Sequence, residues 1–247
     1  MTSPFPISAP DLLRRRILFA VALVDPISGA LVSEGVRVEA DGLVGKPIVN
    51  RSGHFVWLAE GAARPNAVTV TPENRPFEPE TRNVAPIPDP PAEDPLQPAI
   101  PIDQTARRLR ILLRPTPAYP FPDSVTQLHG RLQETAAANA PRLAGAAVEP
   151  QWKDATQAGN WHPSIALGLT AVNGEFRTAL LLPPGASADG GPQQINVRLV
   201  FTRGALRRAT PEALVTPGTT LVAPGSIPPQ PGTPNFGVIA WEQLNPV

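Results

Sequence analysis

The side chains able to do chemistry are few and scattered. Histidine occurs three times, at His54, His129 and His162. No His-x-x-Glu or His-x-His spacing accompanies any of them, so nothing in the sequence reads as a zinc ligand set. There is no cysteine and no Gly-x-Ser-x-Gly elbow, which removes thiolate chemistry and the usual serine nucleophile. Gly190-Gly191-Pro192 falls in a turn, not ahead of a helix, and so offers no phosphate cradle. Asp and Glu lie mostly in turns, where Asp usually serves the backbone. These residues predict a protein that is not an enzyme, with no catalytic residue, metal or cofactor.

Binding chemistry has a better candidate. Gln151 to Pro163 holds Trp152, Trp161 and His162 in a chain with only 5% aromatic residues. Tryptophan at a surface either stacks on a sugar ring or anchors a protein interface. The same pair could also plug an open edge of its own sandwich. A second candidate is the C-terminal piece Phe236-Gly237-Val238-Ile239-Ala240-Trp241, which has strand character after a long proline-rich lead. Phe236, Ile239 and Trp241 would either add a strand to a neighbour's sheet edge or fold back on their own module.

The elements that must hold these residues are short strands. The chain has 247 residues and 34 prolines, close to three times the ~5% share of ordinary proteins. Proline removes a backbone donor and fixes φ, which excludes long helices and favours strands joined by stiff loops. Hydrophobic residues make up 42% and charged residues 17%, enough apolar material for a core. Lys+Arg and Asp+Glu are both 21, so no basic field for nucleic acid exists.

The apolar run Ile17 to Val24 follows Arg14-Arg15-Arg16 and ends in Asp25-Pro26. It lacks a small-residue cleavage site and is far shorter than the ~20 residues that cross a bilayer. It is predicted as a buried strand, with cytoplasmic synthesis, no cleaved signal peptide and no membrane insertion. The chain divides into five regions: a proline-rich arm over 1–13, a first β module over 14–83, a proline-rich linker over 84–106, a second module over 107–208, and a proline/glycine-rich extension over 209–247. Arg107 to Arg114 fits the end of the first module or the start of the second equally well. Thr135 to Ala140 has the best helical composition in the chain.

Two stretches repeat a theme. Asn50-Arg51-Ser52-Gly53-His54-Phe55 and Asn173-Gly174-Glu175-Phe176 both place Gly-x-Phe directly after a turn, followed by an apolar run. Asn173-Gly174 predicts a type I′ hairpin between strands over 165–172 and 175–182. Gly53, Phe55, Asn173, Gly174 and Phe176 are therefore expected to determine the fold.

With Pro141-Arg142-Leu143-Ala144-Gly145-Ala146-Ala147-Val148 and Leu182-Pro183-Pro184-Gly185, this second stretch resembles the transthyretin-like, or carboxypeptidase regulatory-like, β-sandwich family. Module one resembles it more faintly, through Gly35-Val36-Arg37-Val38 and Ser52-Gly53-His54-Phe55. An insertion between Val148 and Leu169 and the missing Gly-x-Tyr before the last strand depart from the family pattern. The resemblance implies an all-β chain of two small antiparallel sandwiches, transthyretin- or Ig-like, with extended arms. Such sandwiches are scaffolds that carry many functions. The function expected is a structural or assembly protein: an adaptor, cap or decoration subunit of a bacterial or phage tail-like particle or extracellular assembly, with homo- or hetero-oligomeric protein partners. Two alternatives stay open, a glycan-binding adhesin using Trp152 and Trp161, and a regulatory appendage of a separate hydrolase.

Overall fold

The structure, a computed structural model, describes residues 17–58, 65–85, 107–154, 160–182, 194–222 and 237–247. Among these the chain is all-β apart from 3-10 turns, at Arg107 and at Trp241–Gln243. It divides into two compact units. The first takes residues 1–23, 31–71 and 80–111; the second takes 24–30, 72–79 and 112–247.

The first unit contains β1 (Ile17–Val24), β2 (Val36–Ala40), β3 (Ile48–Val49), β4 (Phe55–Leu58), β5 (Ala67–Pro72), β6 (Glu80–Asn83) and β7 (Arg108–Leu112). These form two sheets, ordered β3-β4-β1-β7 and β2-β5-β6. The apolar run 17–24 is a central strand with Phe19, Val21 and Leu23 essentially without exposure, as a strand flanked on both sides requires. Phe19 and Trp57 meet with ring centroids 6.0 Å apart. β5 shows period two: Val68 and Val70 are buried and Thr69 faces out beside Thr81 of β6. Because β7 pairs with β1, most of the ambiguous 107–114 stretch belongs to the first sheet.

The second unit is a two-layer sandwich. One layer is built on β8 (Thr126–Gln133), flanked by β12 (Glu175–Leu180) on one edge and by β16 (Thr220–Val222) and β17 (Val238–Ala240) on the other. The other layer has β9 (Ala147–Asp154) and β13 (Ile195–Arg203) at its centre. Around them lie β10 (His162–Pro163), β11 (Gly168–Leu169), β14 (Leu206–Ala209), β15 (Ala213–Val215) and β18 (Asn245–Pro246). Leu128, Leu132, Phe176 and Leu180 from the first layer meet Val148, Val197, Leu199 and Phe201 from the second. Phe176 and Phe201 contact edge-on at 5.3 Å, a favourable arrangement of ring quadrupoles.

Three expectations change here. The extension over 209–247 is not an appendage, because β15, β16, β17 and β18 complete both sheets of the second unit. Thr135 to Ala140 forms no helix: Gln133 Nε2 donates to the carbonyls of Thr135 and Ala137, and Glu242 Oε1 accepts from Ala136 N at 3.0 Å, holding it as a turn. Nor is Asn173-Gly174 a type I′ hairpin. Gly174 N donates to Ala171 O at 2.8 Å and Ala171 N to Glu175 O at 2.7 Å, with only Gly174 at positive φ, 75°. That is a three-residue loop, a type I turn closed by a left-handed glycine. The strand before it, β11, pairs with β9, whereas β12 pairs with β8, so the turn carries the chain from one layer to the other.

The first unit uses the same device. Gly53 N donates to Asn50 O and Asn50 N to His54 O, both at 2.9 Å, with Gly53 at φ 76°. Here β3 and β4 do form a hairpin. In both units the aromatic residue that comes next is buried, Phe55 at 4% exposure and Phe176 at 0%.

The arm over 1–13, the linker beyond residue 85, Gly190-Gly191-Pro192, the Pro183-Pro184-Gly185 stop and Phe236 lie outside the described residues.

Candidate functional site

The tryptophan stretch forms part of the second layer. Trp152 lies on β9 opposite Val197, and therefore points with Val197 toward the core, where it packs against the buried cluster while staying partly exposed. Its neighbours Gln151 and Lys153 point the other way, to the outer face. β10 pairs His162 with Trp152, and the two rings lie 4.9 Å apart. Trp161 sits beside the outer-face residues. The Arg198 guanidinium lies 4.3 Å from its ring centroid and Lys153 Nζ 4.8 Å.

A polar lattice fixes these cations. Arg198 Nε and Nη2 both donate to Gln151 Oε1, at 2.9 and 2.8 Å, across the β9–β13 pair. Gln151 in turn donates to Glu149. Lys153 Nζ bridges Glu212 at 2.8 Å, and Arg207 approaches Glu149 at 3.8 Å. Burial lowers the Arg198 pKa from its ordinary value. Glu212 opposes that shift, Arg207 adds to it, and Glu149 again opposes it. A guanidinium keeps its charge despite such a shift.

The two tryptophans thus lie on opposite faces of one sheet and cannot form a single stacking platform. Trp161 is a half-buried ring beside two cations, and His162 is exposed on the sheet edge.

The C-terminal candidates are also relocated. Ile239 is 1% and Trp241 7% exposed, both inside the core cluster of the second unit. Neither presents a surface to a partner, because β17 and the 3-10 turn close the sandwich in cis. Arg208 covers Trp241 at 5.2 Å and donates Nη1 to its carbonyl at 2.8 Å.

The histidines stay apart. His54 Nδ1 lies 3.1 Å from Ser52 O in its own turn. His129 is half-buried on β8, and burial, then the Arg177 charge, lowers its pKa. Among the described residues no group of three His, Asp or Glu could hold a metal ion.

One constellation was not visible in the sequence. Tyr119 Oη donates to Asp25 Oδ2 at 2.6 Å, although the residues are far apart in the chain. Asp25 also accepts from Ile27 N at 2.9 Å and Ser28 Oγ at 2.8 Å. Tyr119 stands between Phe77 and Phe121, with ring centroids 5.5 and 4.8 Å away. The signal available in advance was the turn Asp25-Pro26, whose carboxylate has to be satisfied when buried.

No family model and no curated protein sequence matches the chain. Among solved structures it is similar to a 9R-lipoxygenase from Cyanothece PCC8801, at 16% identity and TM-score 0.27, over 48% of this chain and 20% of that one. It is also similar to a streptococcal ancillary pilin, at 10% identity and TM-score 0.27, over 93% of this chain and 62% of that one. A third is the shaft pilin SpaA from Lactobacillus rhamnosus GG, at 10% identity and TM-score 0.22, over 85% and 98%. The chain therefore spans only 20% of the lipoxygenase and 62% of the ancillary pilin. At these scores the likenesses carry no argument about what the chain does.

Proposed function

We propose that this chain is a non-catalytic structural subunit, two transthyretin-like sandwiches that work by being built into a larger protein assembly. The observation that carries the reading is an edge of the first sheet, where no strand lies beyond β3 among the described residues. Its edge strand, β3, has only two residues, and both are exposed apolar side chains, Ile48 at 54% and Val49 at 45%; Val44, just before it, is at 99%. An apolar edge with unpaired backbone groups is a template for a strand from another protein, and proteins that stay single usually blunt such edges with charge. The setting proposed is an adaptor, cap or decoration subunit of a bacterial or phage tail-like particle or of an extracellular assembly.

Native mass in extract of the producing cells and after purification tests the reading. The expected result is a complex well above the 26.2 kDa of one chain. Ile48→Lys with Val49→Glu should shrink it without unfolding the protein. A single-chain mass in both samples would falsify the proposal.

A further inference from the structure

The edge strands of the first unit differ in chemistry. Among the described residues, β3 and β7 border one sheet and β2 and β6 the other. β7 presents Arg108 and Arg110, both exposed. β2 carries Arg37 with Glu39, and β6 carries Arg82 with Glu80, each pair bridged within its own strand. β3 has no charge of its own: its residues are Ile48 and Val49, apolar and exposed. The charges stand at its ends, Lys46 before it and Arg51 in the turn after it. Both cations are exposed, and neither is ion-paired among the described residues.

The register with β4 fixes which backbone groups of β3 are open. Ile48 pairs with Val56 and Val49 with Phe55, and Asn50 N donates to His54 O at 2.9 Å. Bonded and non-bonded pairs alternate along an antiparallel ladder, so the Asn50 pair is bonded and the Val49 pair is not. Val49 N–H and C=O therefore point away from β4, into the open edge. Pro47, next in line, offers a carbonyl and no N–H. One residue of an incoming strand can exchange both of its backbone bonds with Val49. Its side chain then lies beside Val49, and those of its neighbours lie on the Ile48 face.

The flanking charges decide what that strand is. Pairing β3 with β3 of a second copy sets cation beside cation at both ends. Antiparallel, Lys46 of each copy meets Arg51 of the other; parallel, each meets its own counterpart. Like charges across a ladder destabilise it. Pairing β3 with β7 of a second copy adds Arg108 and Arg110 to the same cations. We propose that β3 is the seat for an extended segment of a different protein, apolar opposite Ile48 and Val49 and acidic at both ends, where Lys46 and Arg51 receive its carboxylates. The same cations keep copies of this chain from pairing with one another, so selection rests on repulsion as well as attraction. The inference names the partner class for the assembly reading above and rests on it.

The test titrates the full chain, produced apart from its native partners, with two end-blocked peptides, Glu-Val-Ile-Val-Glu and Lys-Val-Ile-Val-Lys, followed by amide NMR at low salt. The expected result is a shift of the Val49 amide and an affinity at least several-fold higher for the acidic peptide, an advantage that shrinks at high salt. Lys46→Glu with Arg51→Glu changes only exposed side chains and should reverse the preference. Equal affinities, no binding of either peptide, or a preference that survives the charge reversal overturns the inference. Dimerisation of the chain alone that Ile48→Lys abolishes overturns it too, because the occupant is then a second copy. A high native mass in the producing cells that Ile48→Lys with Val49→Glu lowers leaves the assembly reading standing in either case. A single-chain native mass removes both.

Discussion

At the scale of single residues, the turns and buried acceptors decide most. Gly174 is irreplaceable for two reasons that can be separated. It sits at φ 75°, and a Cβ there would lie 2.4 Å from the Leu132 carbonyl oxygen. Gly145, at φ 69°, has nothing within 4 Å of such a Cβ. The left-handed region costs a non-glycine residue ~1–2 kcal/mol, partly offset by reduced freedom of the unfolded chain. Gly145→Ala should therefore cost about 1 kcal/mol. Gly174→Ala should cost about 3 kcal/mol or more, because backbone must also move. Urea denaturation of both variants checks this, and equal midpoints would sink it.

The Tyr119 phenol is pushed well above its ordinary range by burial, then by its hydrogen bond to Asp25 and that residue's charge. A raised folded value means a stabilising contribution fully present below the unfolded pKa of ~10, and lost as pH rises toward the folded one. Tyr119→Phe should lower stability by about 1.5–3 kcal/mol between pH 6 and 9, the range for hydrogen bonds to charged groups. The gap to the wild type should narrow above about pH 10. A gap independent of pH would exclude this role.

At the scale of elements, the outer faces are held by arginine forks laid on aromatic rings. Arg198 forks onto Gln151 beside Trp161, and Arg177 repeats the device with Gln127 and Phe121, 5.1 Å away. A lysine cannot reproduce the fork. Arg198→Lys should cost about 1–2 kcal/mol, from a lost two-pronged bond and a weaker ring contact. It should also make Trp161 easier to quench with acrylamide; unchanged quenching would argue against the clamp.

The junction of β8 with the C-terminal tail depends on Gly130, whose added Cβ would lie 2.9 Å from Phe176 Cζ and 3.1 Å from Gly237 O. Gly130→Ala should loosen the start of β17. Limited proteolysis should then release the tail at least several-fold faster than in the wild type.

At the scale of the whole molecule, the units do not follow the chain in sequence. The second unit takes 24–30 and 72–79 from inside the first, and through them Asp25 and Phe77 reach Tyr119. A fragment cut at the boundaries expected from the sequence, 107–208, would lack both. It would also lose β16, β17 and β18 with Ile239, Trp241 and Leu244. At ~1.5–3 kcal/mol per buried large apolar side chain, those three alone represent roughly 5–9 kcal/mol. That is comparable with the ~5–15 kcal/mol stability of a typical domain. The fragment should show no cooperative thermal transition by circular dichroism, whereas the full chain should.

The sequence by itself determined the local chemistry. Proline density and period-two patterning fixed an all-β chain. Gly53-His54-Phe55 and Gly174-Glu175-Phe176 marked the two matching turns, because positive φ and a buried ring are properties of a few adjacent residues. The run 17–24 announced a strand buried on both faces. Only the tertiary structure decided which strands pair. It placed Asn173-Gly174 at a change of layer, put Trp152 and Trp161 on opposite faces, and drew Ile239 and Trp241 into the core. The physical reason is that pairing partners, facing side and burial depend on residues distant in the chain. The C-terminal tail has one apolar pattern whether it docks in cis or in trans, and its pairing with β8 and β14 of its own chain gives that pattern its meaning.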